Sequence, residues 1–178
     1  MIEQLKEICT KRKFVSIYTN SADSDRFCYG KVLSVNEEEI LLYLISPDGE
    51  YDGLSVKNTN SIFRVEYGGE YERKMLSLMT EENLDYFEQY IDDNDLFLSV
   101  LILSQKCNKI VSVEVENSGN FCITGIVEDV NEDVCKIKQF DDYGNFDGYS
   151  IVKIDSISEL SLDSIDERRI SKLIKECS

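Results

Sequence analysis

Residues 46–53 read SPDGEYDG and residues 141–148 read DDYGNFDG. Taken alone, the second stretch looks like a calcium loop, with oxygen ligands and glycines in close succession. The two stretches lie 95 positions apart, and sliding the chain on itself by that interval extends the match well beyond them. Gly30, Val32, Val35, Asn36 and Glu37 fall on Gly125, Val127, Val130, Asn131 and Glu132. Gly49, Asp52, Gly53, Ser55, Ser61 and Ile62 fall on Gly144, Asp147, Gly148, Ser150, Ser156 and Ile157, and Glu72, Arg73 and Leu78 fall on Glu167, Arg168 and Leu173. That is 14 identities over the 49 positions from Gly30 to Leu78, without a gap. Chance gives roughly one in twenty. The chain is a tandem duplication, and this decides its organisation.

The duplication also decides the loop. A helix-loop-helix calcium site needs oxygen ligands at loop positions 1, 3, 5 and 12 around a glycine at 6. With Gly53 at position 6, Asp48, Glu50 and Asp52 fit, but position 12 is Thr59; in the second copy the frame puts Tyr143 at 1 and Ile154 at 12. What the copies share is Gly, any residue, an aromatic, Asp, Gly. That is turn chemistry, with glycine supplying positive φ and aspartate bonding its local backbone. The expectation is a hairpin, with no metal and no cofactor.

Each copy shows one helix followed by short strands. Ile2, Leu5, Ile8 and Cys9 recur at helical spacing, then Phe14–Tyr18, Phe27–Val35, Ile40–Ile45, Leu54–Lys57 and Ile62–Tyr67 read as strands. The second copy repeats the plan with a helix over 96–105 and strands near 109–116, 120–130, 134–140, 148–154 and 156–161. A helix follows each set, over Tyr71–Met79 and Asp166–Ile174, and a further helix is expected from Glu81 to Ile91. The expected organisation is a first helix-plus-barrel repeat over 1–79, a helical linker over 80–94, and a second repeat with a C-terminal helix over 95–178. Five strands in so short a span are too few for a sandwich, but a bent sheet of that size can curl into a small barrel and hide its edges. The fold class expected is α+β, mainly β.

Composition excludes more than it proposes. There are 35 acidic and 19 basic side chains, a formal charge of −16, and the excess is shared by both halves. Binding to a phosphate backbone draws its affinity from lysine and arginine, so a field of this sign opposes it. With no histidine, the Ser-His-Asp and Cys-His arrangements are unavailable. "YGG" at Tyr67–Gly69 lacks the Lys-Ser/Thr of a phosphate loop. The six cysteines show no CxxC pairing, so zinc is not expected, and reduced, mostly buried thiols in the cytoplasm are. No apolar run is long enough to span a membrane. Tyr18, Phe27, Tyr29, Tyr43, Tyr51 and Tyr67 in the first copy and Phe121, Phe140, Tyr143, Phe146 and Tyr149 in the second are expected to be mostly core, with Tyr51 and Phe146 as contact residues where exposed. The shared Glu72-Arg73 and Glu167-Arg168 pairs read as helix anchors or as a partner surface.

The segments FCYGKVLSVNEEEILLYLI (27–45) and FCITGIVEDVNEDVCKIKQF (121–140) carry a strand with a glycine, an acidic turn and a second strand. This pattern resembles the Sm-like small barrels of RNA-binding proteins over about half of each copy. The chain is also similar to small uncharacterised tandem-barrel proteins of Gram-positive bacteria, a likeness that implies no activity. The Sm-like resemblance implies a fold of one helix and five bent strands. It also implies an RNA pocket of Asp and Asn after the second strand and an Arg-Gly pair near the fifth. At the matching places stand Asn36 and Glu39, Asn131 and Val134, then Phe63-Arg64-Val65 and Ser158-Glu159-Leu160. The pocket residues are missing.

The function expected is therefore a non-catalytic protein-interaction module inside the cell, one that masks or neutralises a basic partner. The alternative is a degenerate Sm-like nucleic-acid binder. The partner surface expected is Glu37, Glu38 and Glu39 in one turn and Glu128, Asp129, Glu132 and Asp133 at its counterpart, with Tyr51 and Phe146 at the hairpins.

Overall fold

The computed structural model describes residues 1–23, 25–79, 91–116 and 122–176. The chain is a mixed α+β protein that divides into two compact units, Met1–Gln89 and Tyr90–Ser178. The expected linker helix falls largely on residues 80–90, outside the described residues.

Unit 1 opens with α1 (Ile2–Thr10) and continues with β1 (Phe14–Tyr18), β2 (Cys28–Val35), β3 (Glu39–Ile45), β4 (Tyr51–Asn58), a short 3-10 turn, β5 (Arg64–Glu66) and α2 (Glu70–Leu78). Its strands lie in the order β5-β1-β2-β3-β4, with antiparallel neighbours. One face of α1 places Leu5 and Ile8 against Val15, Ile17, Val32, Ile40, Leu42 and Ile62, which form the core. Burying each such side chain contributes about 1.5–3 kcal/mol, which outweighs the weak propensity of so short a helix.

Unit 2 repeats the plan with α3 (Leu96–Cys107), β6 (Ile110–Val115), β7 (Cys122–Val130), β8 (Val134–Phe140), β9 (Phe146–Lys153), a second 3-10 turn, β10 (Ile157–Leu162) and α4 (Ile165–Glu176). The strand order is β10-β6-β7-β8-β9. Asp95 caps α3 by accepting from the Leu98 N–H at 2.9 Å, and Asn108 ends it in the left-handed region. The helix buries Leu96, Phe97, Val100, Leu101 and Leu103.

The duplication extends to irregularities. The register slips at Val32/Ser34 in unit 1 and at Val127/Asp129 in unit 2, then again at Tyr43/Ile45 and Lys138/Phe140. Just before the first slip a Cβ on Gly30 would stand 2.2 Å from the Tyr43 carbonyl oxygen, and one on Gly125 would stand 2.1 Å from that of Lys138. Only glycine lets the neighbouring strand approach that closely.

Both hairpins close as hydrogen-bonded turns. In unit 1 the turn closes through Gly49 N–H to Ser46 O at 2.9 Å, and in unit 2 through Gly144 N–H to Asp141 O at 3.0 Å. The Asp141 carboxylate accepts from the N–H groups of Tyr143 and Asn145 and from the Asn145 side chain, at 2.9, 2.8 and 3.0 Å. Those donors, Asn145 foremost, hold its pKa below the usual aspartate range. The second glycine is no part of the turn, contrary to the sequence expectation. β4 begins at Tyr51 rather than Leu54, so Gly53 lies inside the strand, at the second register slip, with φ +86°. Gly148 repeats this at +91°. An extra residue at positive φ is the geometry of a β-bulge.

Two further expectations need correction. Of the described cysteines only Cys135 is buried, its thiol pushed up to about 11 by burial; Cys122 is exposed. Several aromatic residues expected in the core lie outside it as well, while Phe97 on α3 is buried. Tyr143, Phe146 and Tyr149 are exposed, as is Tyr67 in the first copy. Phe121 lies outside the described residues.

Candidate functional site

The acidic turns are built by asparagine. Asn36 Oδ1 accepts from the N–H groups of Glu38 and Glu39 at 2.9 and 2.8 Å, and Asn131 Oδ1 accepts from those of Asp133 and Val134 at 2.9 and 3.0 Å. Each side chain bonds its own backbone two and three residues on, which explains why asparagine recurs there. The turn is also tied to the 3-10 segment, through Thr59 N–H to Glu38 O in unit 1 and Ile154 N–H to Asp133 O in unit 2. Glu37, Glu38, Glu128, Asp129, Glu132 and Asp133 are exposed. Two of them form surface ion pairs, Glu37 with Lys6 at 2.5 Å and Glu128 with Lys136 at 2.8 Å. Glu39 starts β3, half-buried, beside the Asn36 amide.

Tyr51 does not stand at a hairpin tip. The tip is Pro47–Gly49, while Tyr51 begins β4 half-buried and stacks on Tyr43 with ring centroids 4.7 Å apart. Phe146 is exposed and packs edge-on against Tyr149 at 5.3 Å. Lys136 stands 4.5 Å from the Tyr149 ring centre, and Lys138 5.6 Å from both Phe140 and Phe146. With Ile151, exposed at 73%, these residues make a mixed apolar and basic face on β8 and β9.

The Glu-Arg pairs are structural in both units. Glu72 is buried; its Oε1 accepts from the Ser16 hydroxyl at 2.6 Å and its Oε2 from the Gly69 N–H at 2.9 Å. It thereby caps α2 and bolts that helix to β1. Glu167 does the same for α4, accepting from the Ser161 hydroxyl at 2.5 Å and the Ser164 N–H at 2.8 Å. The Ser164 hydroxyl in turn accepts from the Glu167 N–H, which completes a capping box. Burial pushes the Glu167 carboxyl above the usual range, against the opposing hydrogen bonds of Ser161, Ser164 and Ser112. The arginines reach backward, Arg73 to the Gly68 carbonyl at 3.0 Å and Arg168 to that of Asp163. The spacing Ser164-x-x-Glu167 was a readable sign of this role.

The anchored α2 helix carries a residue that sequence reasoning missed. Tyr71, next to Glu72, stands over β2 and meets Phe27 and Tyr29 edge to face, with centroids 5.0 and 5.7 Å apart and planes at 87° and 89°. These rings line an open cleft of about 380 Å³ with Asp25, Arg26, Leu44, Ile45, Pro47 and Asp52. The volume is in the range of small binding sites. Tyr29 is pushed up to about 12, by burial first and by the Glu72 carboxylate second, and Tyr71 is raised by the same two causes. At the corresponding places unit 2 has Cys122, Thr124 and Asp166. That contrast was the readable signal, because Phe27 and Tyr71 are too far apart in sequence to suggest a shared site.

Among the described residues no helix is long and apolar enough to cross a membrane. No family model and no curated protein matches the chain. Two solved structures align with nearly its whole length. YcgR from Escherichia coli, in complex with c-di-GMP, is 10% identical over 98% of this chain and 88% of that one, with a TM-score of 0.21. MrkH from K. pneumonia, in its apo state, is 10% identical over 98% and 91%, with a TM-score of 0.18. At these scores neither likeness carries an argument about fold or ligand.

Proposed function

We propose that the chain is a non-catalytic protein-interaction module of the cytoplasm, built on two Sm-like small barrels, that receives a basic partner on its acidic turns. The barrel reading is supported in each unit by the strand order, in which the fifth strand returns to the first, and by the glycine and the slips that bend the second and third strands. The observation that carries the function is the repeated turn. Both copies use an asparagine amide and main-chain bonds to hold its shape, and the neighbouring carboxylates are left in solvent. Charge placed this way steers association more than it stabilises a fold.

The test compares the native chain with one carrying Glu38→Gln, Asp129→Asn, Glu132→Gln and Asp133→Asn, using a lysine-rich peptide as probe. The native chain is expected to bind more tightly, with an advantage that shrinks as salt rises. Equal binding at low salt sinks the reading.

The alternative, a degenerate nucleic-acid binder, has one observation in its favour. Lys136 and Lys138 lie against Tyr149, Phe140 and Phe146 on an exposed face, and lysines interleaved with rings suit single-stranded nucleic acid. Affinity for short single-stranded RNA that falls steeply with salt and is lost in Lys138→Gln would establish it.

A further inference from the structure

We propose that the aromatic cleft of unit 1 receives the ammonium group of a lysine side chain presented by that basic partner. This rests on the proposed function and adds to it a discrete site on a different part of the molecule.

The cleft supplies each thing a lysine side chain needs. Leu44, Ile45 and Pro47 provide apolar wall for a four-carbon stem, which favours lying along such a surface. Phe27 and Tyr29 stand nearly perpendicular to Tyr71, so the cleft meets rings in more than one orientation. A cation beside a ring face is attracted by the ring quadrupole. Asp25 and Asp52 add two carboxylates to the lining against the single charge of Arg26. Behind the rings lies buried Glu72, whose carboxylate acts on Tyr29 and Tyr71. The local balance is therefore negative, in a chain of net −16. Unit 2 lacks all three rings, so the reading requires one lysine site per chain.

The experiment is a titration of the full chain, followed by NMR, with N-acetyl-lysine methylamide and with its uncharged isostere N-acetyl-norleucine methylamide. The lysine derivative is expected to move the signals of Phe27, Tyr29 and Tyr71 saturably at millimolar concentration, while Cys122, Thr124 and Asp166 stay in place. Norleucine is expected to bind roughly 3- to 10-fold more weakly, which is the worth of one cation–π contact. Tyr71→Leu and, separately, Asp52→Asn should each weaken the lysine derivative by a similar factor. Equal response to both compounds, or none to either, overturns the proposal on the native chain alone, whatever the variants do. So does preferential binding of N-acetyl-glutamate methylamide, which would give the cleft to Arg26 and an anion. A chain that ignores the lysine derivative yet still binds a lysine-rich peptide through its acidic turns would overturn the cleft and leave the proposed function standing.

Discussion

The third strands of the two units descend from one sequence and meet different fates. β3 reads EILLYLI and is buried on both faces, with Leu41 and Tyr43 as inaccessible as Ile40 and Leu42. β8 reads VCKIKQF; Cys135 and Ile137 are buried, while Lys136 and Lys138 are only half-covered. The fourth strands follow suit. Leu54 and Val56 are at 0% exposure, and their counterparts Tyr149 and Ile151 are at 54% and 73%. A continuous apolar run marks a strand with two buried faces, and alternation marks a strand with one. Divergence after duplication has thus acted on one face of the sheet, while the turns, slips and helix anchors that bend it stayed fixed.

The largest effect is expected where the units agree. Gly30→Ala and Gly125→Ala both force a Cβ into a neighbouring carbonyl. Each should destabilise its unit by at least about 3 kcal/mol in denaturant melts, among the largest single-site effects. A neutral result in one unit would break the equivalence of their second strands. Next comes the diverged face. Leu54→Ala should cost about 2–4 kcal/mol as a core truncation, and Tyr149→Ala less than about 0.5 kcal/mol as an exposed one. Equal costs would erase the difference in burial.

The anchoring glutamates come third. Glu72→Ala and Glu167→Ala each leave a helix end and a serine without an acceptor, at about 1–3 kcal/mol. For Glu167 the loss should depend on pH. A carboxyl whose folded pKa lies above its unfolded value gives stability that is complete below the ordinary glutamate range and lost as pH rises through the raised value. The cost of Glu167→Ala should therefore be greatest in acid and shrink toward neutrality; the opposite slope would show that the carboxyl folds charged and favourably paired. The smallest contrast is at the cleft. Tyr71→Ala gives up two edge-to-face contacts, about 1–2 kcal/mol, whereas Asp166→Ala at the exposed equivalent position should stay within about 0.5 kcal/mol.

Much of this was legible in the sequence, for a physical reason. Strands and helices announce themselves by period, and duplication let each copy check the other, so nearly every element fell within a few residues of its expected place. Two things escaped. Gly53 and Gly148 read as turn residues because positive φ serves turns and bulges alike, and only the register separates them. The cleft escaped because Tyr71 reaches Phe27 only after Glu72 has docked α2 on Ser16, a contact between residues 56 positions apart.

That contact also orders events during synthesis. The residues that seal unit 1 follow all of its strands: Glu72 for Ser16, and Leu78, whose backbone lies so close to the Pro47–Gly49 turn that a Cβ on Gly49 would come within 2.8 Å of it. The strands of unit 1 therefore leave the ribosome before the helix that locks them. At roughly 5–20 residues per second, with domains folding as units from the N-terminus, unit 1 then has on the order of 5–20 s to itself while the rest of the chain is made. The cleft of Phe27, Tyr29 and Tyr71 draws its lining from unit 1 alone, so it forms with that unit and ahead of the second copy.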